Sequence, residues 1–226
     1  MLCSWAQYLY FSNKQIAKEM LRNILFFYTL VLVAVSSQAQ NAKELTQTGM
    51  NFYEKKQYVE AILHFNKAIE QDDQYAQAYF MRGSIKENFE DRHGAMQDYN
   101  RAIELNKSYS EAYFARGNVK YILQDYYGAI DDFSKVIELD DNNVKAYLKR
   151  GEAKQQLEAY EDAINDCSRI IEINNKDVDA YFLRGILRIE YGQLEKGCLD
   201  LSKAGEMGDL KAYELIRERC NQSYIK

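Results

Sequence analysis

The sequence has no proline in its 226 residues. Helices are therefore nowhere interrupted by a ring that removes an N–H and clashes with the preceding turn, and the turns between them must be made by other residues. Histidine is nearly absent as well. His64 falls at a surface-compatible helix position and His93 in a turn between helices. There is no HExxH, no Gly-rich phosphate loop and no Cys-x-x-Cys. No nucleophile–base set and no ligand cluster can be assembled from what remains. The acidic stretch Asp140 to Asn143 lacks the glycine and the distant glutamate of a helix–loop–helix calcium site and reads as a solvated turn. No run of Lys and Arg occurs, and a net charge of −5 has the wrong sign for a nucleic-acid backbone as partner. The expectation is a chain that is not an enzyme, takes no cofactor or metal and binds no nucleic acid.

Long apolar runs are also scarce, and the one present lies near the N-terminus. Ile24 to Val35 form a 12-residue apolar block, preceded by Lys14, Lys18 and Arg22 and followed by Ser36 to Gln40. A membrane span needs about 20 apolar residues, so this block is too short for one. Small residues at Ser37 and Ala39 suit cleavage after Ala39. Residues 1–39 are thus expected to be a signal peptide, with an uncleaved anchor as the rival reading. Starting at Met20 would give a compact signal, and Met20 is the expected initiator. Cys3 precedes the apolar block, so it cannot be the modified Cys of a lipoprotein signal. After cleavage the chain would carry 26 basic and 33 acidic residues and no stable membrane insertion. It would reside in the periplasm or cell envelope, or be secreted.

What the sequence does have is repetition. Ala78-Tyr79, Ala112-Tyr113, Ala146-Tyr147 and Ala180-Tyr181 follow one another at intervals of 34 residues. Arg82-Gly83, Arg116-Gly117, Arg150-Gly151 and Arg184-Gly185 keep the same phase, and Ala95, Ala129, Ala163 and Gly197 fall twelve places after each Gly. An earlier copy keeps Gly49, Ala61, Phe65 and Ala68 but lacks the Ala-Tyr and the Arg. A fixed period of this size means a stack of supersecondary units. Within 110–143, Ala112, Tyr113 and Gly117 recur at helical spacing to about Leu123. Asp125 is a natural N-cap for a second helix through Ala129, Ile130, Phe133 and Val136. The unit is helix–turn–helix, with Gly117 and Ala129 small because two antiparallel helices meet there.

The order Tyr79, Gly83, Ala95, Tyr99, Ala102 and its copies resembles the tetratricopeptide repeat, over about residues 42–209. The resemblance implies an all-α solenoid of stacked helix–turn–helix units. These are a degenerate unit at 42–75, then units at 76–109, 110–143 and 144–177, and a shortened one at 178–209. A capping helix and tail over 210–226 would shield the last apolar surface. The family's usual proline after the second helix is replaced by Asp73, Lys107, Asp141 and Asn175, so those turns must rely on Asn/Asp chemistry.

Two further patterns are structural in expectation. Arg82, Arg116, Arg150 and Arg184 each have an aspartate sixteen residues on, namely Asp98, Asp132, Asp166 and Asp200. These should form ion pairs between the two helices of each unit, with a ligand-binding Arg ladder as the alternative. The first unit has Thr48 and His64 there and lacks both partners together. Cys167 stands where the earlier units have Phe65, Tyr99 and Phe133 and should be a buried thiol. Cys198 and Cys220 are expected to pair across the last unit and the capping helix, the alternative being two packed thiols.

The resemblance also implies a partner groove lined by the first helix of each unit. Carried onto this sequence, its rows are Phe80, Phe114, Leu148 and Phe182; then Ser84, Asn118, Glu152 and Ile186; then Glu87, Tyr121, Gln155 and Ile189, with Tyr53 preceding. Aromatic and polar rows suit an extended peptide or a helix, unless the Phe residues serve only to pack neighbouring units. A Lys/Asn clamp for a terminal carboxylate is not visible, since Thr46, Phe80 and Phe114 occupy the places where basic residues are wanted. The expected function is a non-catalytic protein-binding adaptor or scaffold of the bacterial cell envelope. The alternative is a self-associating structural protein.

Overall fold

In the computed structural model the described residues are 22, 25–29 and 40–220. The expected signal peptide therefore lies outside the described residues, apart from Arg22 and the helical residues 25–29. No helix among the described residues is long and apolar enough to cross a membrane. The fold is all-helical, built of stacked antiparallel pairs, and the chain divides into two compact units after Ala78.

The first unit holds α1 (40–54) and α2 (Tyr58–Gln71). They approach so closely that a Cβ on Gly49 would lie 2.6 Å from the Phe65 ring. Ala42, Ala68 and Ala78 form a core with Leu45, Ile69 and Tyr75. Phe52 packs on His64 with ring centres 5.0 Å apart.

The second unit begins inside α3 (Ala76–Asn88) and continues through α4 (Arg92–Leu105), α5 (Ser110–Ile122), α6 (Tyr126–Leu139), α7 (Val144–Gln156), α8 (Tyr160–Ile173), α9 (Val178–Glu190) and α10 (Leu194–Glu206). From α4 onward each helix packs on the next in sequence. The buried side chains form a string of small clusters shared between neighbours, not one central core. Two turn types alternate. Between the helices of a pair, Glu90, Gln124, Glu158 and Gly192 adopt positive φ of 57° to 84°. Between pairs, Asn106, Asp140 and Asn174 are extended, and each carboxyl or amide oxygen accepts from the N–H two residues on. The expected Asn/Asp chemistry is thus carried one residue before the positions where proline is missing. Asp91 and Asp125 cap α4 and α6 by accepting from the N–H groups of Gly94 and Gly128.

The C-terminal element differs from a single capping helix. It is α-helical over α11 (Leu210–Leu215) and then π-helical over Ile216–Cys220, with residues 221–226 outside the described residues. Geometry supplies the reason. Ala212 is buried against α10 beside Leu201 and Ala204. At about 3.6 residues per turn, an α-helix would carry Cys220 roughly a fifth of a turn past that face. The wider i→i+5 winding takes up this offset, and Cys220 forms a disulfide with Cys198 of α10, the Cα atoms 6.0 Å apart.

Candidate functional site

Two surfaces of the second unit concentrate its polar side chains. The first lies between the helices of each pair. Arg82, Arg116, Arg150 and Arg184 grip Asp98, Asp132, Asp166 and Asp200 through two parallel hydrogen bonds, Nε to Oδ2 and Nη2 to Oδ1, at 2.6–3.0 Å. The four aspartates are buried. A second cation that sequence reasoning missed joins each of them. Lys86, Lys120, Lys154 and Arg188 reach the Oδ2 atom at 2.6–2.9 Å. The signal was present, since each stands four residues after its arginine and so on the same helix face. Arg188 replaces the usual Lys, and its Nε is buried without a hydrogen-bond partner among the described residues.

These triads also tie neighbouring pairs together. Arg116, Arg150 and Arg184 each donate a further hydrogen bond, to Asn100, Ser134 and Ser168 of the preceding pair. Each guanidinium lies 5.4–5.5 Å from the centre of the tyrosine ring three residues before it. Removing one aspartate would leave two cations facing each other at the helix interface, the costly way to break a buried pair. In the first unit the Thr48 hydroxyl instead donates to the Glu44 carbonyl, and His64 Nδ1 lies 2.9 Å from the Glu60 carbonyl. The arrangement is a structural ladder with every aspartate saturated.

The second surface is the stripe along α3, α5, α7 and α9. Its members are neither buried nor freely exposed. Phe80 lies 5.0 Å from the Tyr109 ring and 5.7 Å from Tyr99, and Phe114 lies 5.6 Å from Phe133. Leu148 packs on the cluster of Ala163, Cys167, Leu183 and Leu187, and Phe182 packs on the cluster of Leu201, Ala204 and Ala212. The phenylalanine row therefore joins neighbouring pairs and offers only part of its surface outward. The polar rows are more available. Glu87 accepts from the Tyr99 hydroxyl at 2.6 Å, and Ser84 donates to the Phe80 carbonyl. Gln155 donates to Glu190 at 2.9 Å, and Glu152 accepts from Lys149 at 2.7 Å. Tyr121 meets Tyr126 edge-on at 5.4 Å. Burial, then the nearby Glu152 carboxylate, raises the Tyr121 pKa. The Asn118 amide makes no side-chain hydrogen bond among the described residues. Ile186 and Ile189 belong to the apolar cluster under α11. Tyr53 lies in the first unit, edge-on to Tyr58 at 5.7 Å.

Cys167 is buried, and its surroundings push the thiol up to about 12. A thiol so rarely ionised is no nucleophile. Among the described residues no three His, Cys, Asp or Glu side chains stand together to hold a metal ion.

Comparison with known proteins reaches the same architecture. A family model described as tetratricopeptide repeat matches residues 76–109 and 144–177, and one described as TPR repeat matches 117–158. The structure is similar to that of YrrB, described as a TPR protein with an unusual peptide-binding site. Its TM-score is 0.73 at 18% identity, over 83% of this chain and 97% of that one. It is similar to MamA at a TM-score of 0.68 and 19% identity, over 79% of this chain and 95% of MamA. The first TPR of Spaghetti (RPAP3), bound to the HSP90 peptide SRMEEVD, matches at 30% identity and a TM-score of 0.51 over 53% of this chain and 94% of that one. No protein with a curated description matches the sequence.

Proposed function

Because the chain is a tetratricopeptide repeat protein, we propose that it is a non-catalytic scaffold that holds a segment of another protein along the stripe of α3, α5, α7 and α9. The observation that carries this reading is the state of the polar rows. Ser84, Asn118, Tyr121, Glu152 and Gln155 remain partly exposed on helices whose other faces are committed to packing. Asn118, at the centre, offers both a donor and an acceptor to a passing backbone. YrrB and RPAP3, each described with a bound peptide or a peptide-binding site, support such use of the fold here. The Cys198–Cys220 disulfide and the apolar block before Gln40 support export to an oxidising compartment, the cell envelope of a bacterium.

A cross-linked pull-down from envelope extract tests the reading. The chain, beginning at Gln40 after processing, should retain a partner. A Ser84→Arg/Asn118→Arg variant of unchanged helicity should lose most of it. A partner held equally by both would move the site off the stripe. Self-association is the second reading, favoured by Leu199 and Leu210, which are 71% and 76% exposed near the C-terminal end. In the same experiment it would appear as cross-links between copies of the chain.

A further inference from the structure

The charges along the stripe are mainly negative. Glu87 and Glu152 belong to it, and Glu190 joins it through Gln155. Of the ten basic residues of the same helices, the eight cations of the four triads are turned to buried aspartates. Of the other two, Lys149 is already bound by Glu152, and Lys145 is exposed in the first turn of α7, three residues before Leu148. Glu111 and Asp179 hold the place of Lys145 on α5 and α9, so five carboxylates stand against two cations. Beside them, Tyr121 and Tyr126 present two rings edge to face, 5.4 Å apart. Ring faces attract cations, and do so more strongly where water is partly excluded. Burial, and after it the Glu152 carboxylate, raises the Tyr121 pKa. Tyr160 is raised in the same way by burial, Glu158 and Glu190.

We infer that the stripe selects a cationic partner, an extended segment of another protein in which Lys or Arg side chains alternate with apolar ones. One cation would sit on the Tyr121 and Tyr126 rings against Glu152, and further cations would meet Glu87 and Glu190. The apolar side chains would lie on the outward edges of Phe80, Phe114 and Leu148. This inference rests on the stripe being the binding surface. It sets the chain apart from RPAP3, whose bound peptide SRMEEVD carries three acidic residues and one arginine. Such a peptide would meet like charge here.

The test uses fluorescein-labelled peptides of about ten residues in which Leu alternates with Arg, Ser or Glu. Anisotropy titrations are run on the disulfide-bonded chain in about 0.15 M salt. The Arg peptide should bind about tenfold tighter than the Ser peptide, and the Glu peptide most weakly. Glu152→Gln, which keeps the side chain's shape, should weaken the Arg peptide about fivefold, and Tyr121→Leu by a similar factor. Glu104→Gln, outside the stripe on α4, should leave binding unchanged.

If all three peptides bind alike and Asn118→Arg abolishes that binding, the stripe is a docking surface without the inferred preference. In that case the inference falls and the scaffold reading stands. An Arg preference that survives Glu87→Gln, Glu152→Gln and Tyr121→Leu together would be an effect of overall charge, and would also overturn the inference. Binding indifferent to Asn118→Arg, or absent for every peptide, would sink both readings.

Discussion

Gly151 and Gly117 occupy the same place in two neighbouring repeats but meet different partners. A Cβ on Gly117 would come within 2.8 Å of the Phe133 ring, whereas at Gly151 nothing lies nearer than 3.7 Å. The cause is Cys167, which stands where Phe133 stands one repeat earlier and is far smaller. Gly117→Ala should therefore destabilise by about 1–3 kcal/mol through overpacking. Gly151→Ala should stabilise by about 0.5–1 kcal/mol, because a mid-helix glycine loses more freedom on folding than alanine. Urea midpoints at unchanged m-value would measure both. Equal losses at the two sites would show that the ring is not the obstacle. The small residues and their twelve-residue spacing were legible in the sequence because close helix approach leaves no chemical alternative. The second cation of each triad was missed for a different reason. A lysine at an amphipathic helix position reads as solvent-facing unless its buried counter-charge, twelve residues on along the chain, is known to lie beneath it.

At the scale of elements, the turns show what a repeat can tolerate. Glu90, Gln124 and Glu158 hold left-handed backbone angles that suit glycine, and only the last pair places a glycine there, Gly192. The left-handed region costs a non-glycine residue roughly 1–2 kcal/mol, partly offset by the greater freedom of glycine when unfolded. Gln124→Gly should raise stability by about 0.5–1 kcal/mol and Gly192→Gln should lower it by a similar amount. Thermal midpoints moving the other way would mean that side-chain contacts hold the turn. Helix ends were readable from capping aspartates such as Asp125. The π-helical end was not. It follows from where Cys198 and Ala212 sit on two packed helices, a tertiary relation that no periodicity in Leu210 to Cys220 contains.

For the molecule as a whole, contacts in the second unit run mainly between neighbours. Stability is then close to a sum of pair and interface terms, and the ends loosen first. The Cys198–Cys220 bond acts on one such end. Closing a loop over a sequence separation of 22 should contribute roughly 3 kcal/mol in the loop-entropy model. Reduction should speed amide exchange across α10 and α11 and leave α5 and α6 nearly unchanged. A uniform gain in exchange along the unit would contradict this one-dimensional picture. The period of 34 residues made the stack legible at this scale, because each unit must bury its face on the next. The partner was not legible in the same way, since solenoids of one design take many ligands.

The same bond decides how the chain would behave under tension. A load applied at Cys220 passes through sulfur to Cys198, so α11 and most of α10 lie outside the force path. When the last helix pair gives way, those bypassed residues add no length. The extension is shorter by about 70 Å than that of the reduced chain, at about 3.4 Å per residue. A partner pulling on this end would meet a short, stiff tether where the reduced chain would pay out slack.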